Sequence, residues 1–184
     1  MVVYNKHTNR CKQSMSDGEG ERQMIGIINI HSRSEDWIAR ELSNFAAHEF
    51  QLDGYRIACF EGFLQSMKFG EPEMQRKILD MSGKEAKQAG SGQDWEQTGW
   101  LYWNGRGYRR YSREYRLLLE RAYDALLENE GFRNALIASR GKLLIHTIGR
   151  YRHTILTVPE FCGILMKKRR KLLREMRKAK GGTR

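Results

Sequence analysis

From Met24 onward the hydrophobic pattern switches repeatedly between short apolar runs and helical spacing. MIGIINIHSR (24–33) is apolar at nearly every position until His31 and reads as a buried strand. HEFQLDGYRIA (48–58) splits into two extended halves around Asp53-Gly54, a pair that favours a two-residue hairpin turn. At Cys59 the period lengthens to that of a helix and holds to about Phe69, where Gly70 and Pro72 interrupt it. EPEMQRKILDMSG then predicts a second helix with Gly83 past its end, and KEAKQAG a short third one. Ser112 is placed to cap the helix SREYRLLLERAYDALLENEG, whose apolar stripe is Leu118, Ala122, Ala125 and Leu126. FRNALIASRG predicts another helix closed by Gly141, and KLLIH (142–146) a strand. Pro159 suits the first turn of a terminal helix that Phe161, Leu165, Leu172 and Met176 keep amphipathic. Residues 91–111, SGQDWEQTGWLYWNGRGYRRY, show no stable period, and a long loop is expected there, while TIGRYRHTILTV after the last strand is irregular. The pattern predicts one α+β domain, predominantly α-helical, with a small β-sheet drawn from about 25–31, 48–57 and 142–146.

Within the helix beginning near Cys59, three polar residues break an otherwise apolar circumference: Glu61, Gln65 and Lys68. Their i, i+4, i+7 spacing aligns them on one stripe. Such a stripe either faces solvent or lines a cavity, and three residues make a narrow face for a surface helix. A carboxylate held in a cavity can stabilise the positive charge that develops when a sugar's anomeric bond breaks.

Charge changes the picture only once it is located. Of the net +11, +9 resides in the last 18 residues, leaving +2 for the first 166. The tail is therefore either a solvated basic helix end, favoured by the helix dipole, or an arm that seeks phosphates. Residues 1–23 read as a flexible polar leader without the apolar centre of a signal peptide, and no run is long enough to span a membrane. Three cysteines without CxxC spacing suggest reduced thiols and a cytoplasmic protein, and the scattered histidines predict no metal site. Ser32, Arg33 and Ser34 follow a strand end, where they either form a capped turn or contact phosphate or ribose. Asn44 either caps a turn or binds a ribose hydroxyl. Trp95, Trp100 and Trp103 either pin their loop to the core or stack a base. His146, on a strand, reads as a satisfied core histidine.

INIHSRSEDWIARELSNFAAHEFQLDGYRIACFEGFLQSMKF resembles the NADAR superfamily of YbiA-like N-glycosidases. The likeness rests on Ser43-Asn44-Phe45, on the helix carrying Glu61, Gln65 and Lys68, and on later blocks AKQAG, LLLERAYDALLENEGFRNALIAS, LLIHT and FCGILMKKR in the family's order. It spans about Met24 to Arg170, so the expected layout is leader 1–23, YbiA-like domain 24–170 and basic helical tail 171–184. The resemblance implies a metal- and cofactor-independent N-glycosidase acting on a ribosyl bond. ADP-ribose removal from a modified guanine in nucleic acid is the leading expectation, with riboflavin-pathway ribosides or a non-catalytic ADP-ribose or nucleic-acid binding role as alternatives. It places the essential carboxylate at Glu61, a stacking aromatic at Tyr111 and a cation at Arg121. With the residue readings above, the candidate site is catalytic Glu61 and Lys68 with substrate contacts at Ser32, Arg33, Ser34, Asn44, Phe45, Gln65, Trp103, Tyr111, Arg121 and His146. Tyr111 stands where relatives carry a Trp that packs on the base. Two departures are visible: HTIGRYRHTIL has Arg150 and Tyr151 in place of an Asp and a Trp-Gly run, and an Asn preceding the terminal helix is replaced near Glu160.

Overall fold

The computed structural model describes residues 26–147 and 154–181. In chain order the elements are β1 (Ile27–Asn29), α1 (Trp37–Glu41), β2 (Phe50–Leu52), β3 (Tyr55–Ile57), α2 (Phe60–Ser66), α3 (Pro72–Leu79) and α4 (Gly83–Ala89). They continue as α5 (Trp95–Thr98), β4 (Trp100–Trp103), β5 (Arg106–Arg109), α6 (Arg113–Leu126), α7 (Glu130–Ala138), β6 (Leu143–Ile145) and α8 (Val158–Gly181). The α+β, mainly helical expectation holds. The expected leader, with Arg150 and Tyr151, lies outside the described residues.

The strands do not join into one sheet. β1 pairs in parallel with β6, while β2–β3 and β4–β5 are separate antiparallel hairpins. β2–β3 turns at Asp53-Gly54 with φ of 50° and 86°, the left-handed pair of a type I′ turn. The segment expected to be a loop contains α5 and the second hairpin, which turns at Asn104-Gly105 with φ of 47° and 72°. Asn-Gly is a strong hairpin signal, but the Gly- and Arg-rich return strand RGYR masks the strand period.

α2 occupies the centre. Cys59, extended at φ −160°, caps it by accepting the Gly62 N–H on its sulfur at 3.3 Å. All seven of its residues are buried, between α3, α4, β3 and the aromatic core. Phe60 stacks on Tyr123 of α6 with ring centroids 3.9 Å apart, and Tyr123 in turn stacks near Phe132 of α7 and Phe161 of α8. A helix enclosed on all sides is normally apolar throughout, so polar groups on it must find partners inside the protein. α8 runs unbroken from Val158 to Gly181, with no structural boundary at 171. Lys167 and Lys168 dock it to α6 through Glu120 and Asp124.

Candidate functional site: a buried carboxylate beside an aromatic cavity

Glu61 sits in the first turn of α2, only 5% exposed, where the helix N-terminus favours a negative charge. Its backbone N–H donates to Asn44 O at 2.8 Å, so the Ser43-Asn44-Phe45 turn is fastened directly onto the carboxylate's own turn of helix. Asn44 Oδ1 accepts the Tyr123 hydroxyl at 3.0 Å, and Phe45 covers Gly83, where a Cβ would stand 2.9 Å from the Phe45 Cβ. Asn44 and Phe45 thus belong to the site's wall. One carboxylate oxygen is held: Glu61 Oε1 accepts Gln65 Nε2 at 2.7 Å and faces Lys87 Nζ at 3.4 Å. Oε2 has no hydrogen-bond partner among the described residues.

Gln65 is fully buried, and its own Oε1 is without a partner, pressed against Gly90 at the end of α4. Such an orphaned acceptor costs free energy, as is common where structure serves chemistry rather than stability. Its donor side aims Glu61. The expected three-residue stripe is split, because α2 ends at Ser66 and Lys68 lies beyond it. Lys68 Nζ donates to Gly90 O at 2.8 Å, and the direct ion-pair partner of Glu61 is Lys87 instead. Burial, with Lys87 nearby, pushes the Lys68 ammonium down to about 8 against opposing attraction from Glu61 and Glu96. Lys68 is therefore within electrostatic reach of both carboxylates. Lys87 escaped sequence reasoning because a charged residue on a short, half-exposed helix looks like ordinary surface. Its place in the AKQAG block was the available signal.

Glu96 leads to a neighbouring cavity of about 390 Å³, lined by Trp95, Glu96, Gly99, Arg109, Arg110 and Tyr111. Tyr111 is 60% exposed and held at φ 73°, a left-handed conformation that is unusual for a bulky residue. Its ring is backed by the Arg110 guanidinium, 4.2 Å from the centroid. Arg110 is itself buried and immobilised, donating to Thr154 O at 2.8 Å and, through both terminal nitrogens, to Glu160 at 3.0 and 2.6 Å. Glu160, the departure noted in the sequence, therefore anchors the support of the Tyr111 plate.

Other expected contacts lie elsewhere. Trp103 is a core residue, 1% exposed, edge-on to Phe63 and donating its indole N–H to Asp53 Oδ2 at 2.8 Å, so it presents no face to a base. Arg121 pairs with the same Asp53 and braces the β2–β3 hairpin to α6. His146 follows β6, with Nδ1 2.6 Å from Ile30 O and its ring edge-on to Phe161. Ser34 caps the turn into α1 by accepting the Asp36 N–H at 3.2 Å, while Ser32 and Arg33 are exposed. Among the described residues no three His, Cys, Asp or Glu side chains converge to hold a metal ion, and no helix is long and apolar enough to cross a membrane.

A central buried helix with one tethered carboxylate, a Ser-Asn-Phe turn on its amino end and an aromatic plate nearby accompany a NADAR/YbiA-like assignment that the comparisons support. The chain belongs to the bacteriophage protein GP30.3 family, whose model matches residues 36–170. It is 42% identical over 134 residues to the "Uncharacterized 17.1 kDa protein in Gp30-rIII intergenic region" of Enterobacteria phage T4, covering 70% of this chain and 88% of that one. The solution structure of Escherichia coli YbiA has the same fold, with a TM-score of 0.58 at 22% identity over 83% of this chain and 88% of that one.

Proposed function

We propose that the protein is an N-glycosidase that hydrolyses a ribosyl–base bond, releasing ADP-ribose from a modified guanine in nucleic acid. The observation that carries the reading is the Glu61 carboxylate: buried, held at Oε1 by Gln65 and Lys87, and without a hydrogen-bond partner at Oε2 among the described residues. As the C1′–N bond lengthens, positive charge spreads over C1′ and the ring oxygen, and a poorly screened carboxylate stabilises it. Oε2 takes a proton from the attacking water, whose oxygen bonds to C1′, while the base leaves with the bonding pair and is protonated. Tyr111 stacks the base or ribose, and Lys68 contributes a cation toward ribose hydroxyls or phosphate. Free Cys59 and Cys162, both buried, suit a reducing cytoplasm, and the basic face of α8 suits a polymeric phosphate substrate.

The test is to incubate the purified chain with ADP-ribosylated DNA and, separately, with riboflavin-pathway ribosides, measuring free ADP-ribose or ribose phosphate. Glu61→Gln, nearly isosteric and neutral, is expected to lower turnover on the order of a hundredfold or more while retaining ligand affinity. Release from the ribosides alone would move the substrate to the small-molecule class. Full activity in Glu61→Gln would remove the catalytic assignment.

A further inference from the structure

The β4–β5 ribbon carries more aromatic surface than its packing uses. Register pairs Trp100 with Arg109 and Tyr102 with Gly107, so these four residues share one face, while Leu101 and Trp103 on the opposite face are buried in the core. Trp100 is 38% exposed. Gly107 leaves room for the Trp100 ring over the ribbon: a Cβ there would stand 3.3 Å from Trp100 Cε3, and in ordinary contact, 3.6 Å, with Tyr102 Cε1. The Arg109 guanidinium lies 4.8 Å from the Trp100 ring centroid and is steadied by donating to Thr98 O at 3.0 Å. Arg109 also lines the cavity that holds Tyr111. Two aromatic plates, Tyr111 in the cavity and Trp100 outside it, are thus joined through a single arginine.

Nearby cations have no acidic partner among the described residues. Arg106, Arg109, Arg113 and Arg116 are exposed, and none has a carboxylate within 4.0 Å among the described residues. Flat aromatic rings with adjacent free guanidiniums suit unstacked bases and their phosphates, because every base has a π-face and the contact is sequence-tolerant. A duplex, whose bases are already stacked, cannot use such plates. We infer that the Trp100–Tyr102–Arg109 face is a stacking platform for a single-stranded polynucleotide, seating the nucleotide beside the one whose base enters the Tyr111 cavity. The inference deepens the proposed function and rests on it only in taking the base in the cavity to be part of a polymer.

Binding is measured without hydrolysis, by anisotropy of labelled oligothymidylate and oligouridylate at fixed salt, with a matched duplex and inorganic polyphosphate as competitors. Trp100→Ala is expected to weaken single-strand binding about tenfold or more, Trp100→Phe to restore most of it, and Gly107→Ala to weaken it slightly by shifting the Trp100 ring. Competition by polyphosphate should be the same for parent and Trp100→Ala. Unchanged oligonucleotide affinity in Trp100→Ala, or an equal loss toward polyphosphate, would overturn the platform. A protein that binds strands through Trp100 yet hydrolyses nothing would sink the glycosidase reading and leave this surface standing. An active enzyme indifferent to Trp100 would do the reverse.

Discussion

Gly90 tests the site's architecture without touching the carboxylate. Its backbone, at φ −82° and ψ 2°, accepts any residue, so strain of the main chain is not at issue. The obstacle is Gln65: a Cβ on residue 90 would overlap Gln65 Oε1 outright and stand 2.9 Å from its Cδ and 3.0 Å from its Cβ. Gln65 is fully buried and has nowhere to retreat except by releasing Glu61. Gly90→Ala should therefore cost about 1–3 kcal/mol of stability as an overpacked core site, and lower activity by freeing Oε1. Gln65→Ala should cost a similar ~1–3 kcal/mol through the lost hydrogen bond and the space left behind. The two penalties exclude one another, since truncating the Gln65 side chain opens the space that a methyl group at position 90 needs. In urea titrations the double variant should be more stable than additivity predicts by about 1–2 kcal/mol. Strict additivity would mean that Gly90 does not press on Gln65 and that the clamp on Glu61 is drawn wrongly.

Three further outcomes follow. The folded Lys68 ammonium titrates near 8 because burial and Lys87 disfavour its charge, against 10.5 unperturbed. Between those values the unfolded chain binds the extra proton, so stability rises with pH across that window. The stability of Lys68→Met relative to the parent should decline from pH 7.5 to pH 10, and a flat difference would contradict the shift. Burial alone would raise the Glu160 carboxyl, but hydrogen bonds from Arg110 and Thr157 outweigh it and hold it below 4.5. Its stabilisation is present above that pH and is lost as pH falls through the lower folded value. Arg110→Met should cost about 3 kcal/mol at pH 7 and raise KM more than it lowers kcat, with the penalty shrinking in acid. Deleting residues 171–184 should flatten the salt dependence of nucleic-acid affinity, because fewer counterions are released, and leave activity on a small nucleoside analogue intact. Equal salt slopes would return the tail to a solvated helix end.

What was legible in the sequence was local. Ser112, Pro159 and Asp53-Gly54 act within a turn of themselves, and each sits where its local chemistry put it. The polar residues of α2 were visible for a related reason, since a helix apolar around its circumference makes any exception conspicuous. What escaped depends on partners remote in the chain. Lys87 acquires meaning only when α4 packs over α2, and Arg110 only when Glu160 returns to it across 50 positions. Trp103 looked like its neighbour Trp100, and only strand register separates the core ring from the exposed one. The assumed single sheet failed likewise, because pairing between strands is decided by tertiary packing rather than by the strands' own composition.

The β1–β6 pair joins Ile27 to Leu143, and Ile30 and His146 hydrogen-bond just past it. During synthesis β1 emerges early and has no strand partner until more than a hundred further residues have followed. The intervening hairpins and helices make mostly short-range contacts and can form as they leave the ribosome, whereas closing this pair carries the largest loop entropy in the molecule. A nascent chain arrested before Leu143 therefore lacks both this strand pair and the packing of α8 on β6. Until that last strand arrives, the apolar residues of β1 are a target for chaperones, and truncations upstream of residue 143 should be held in that state.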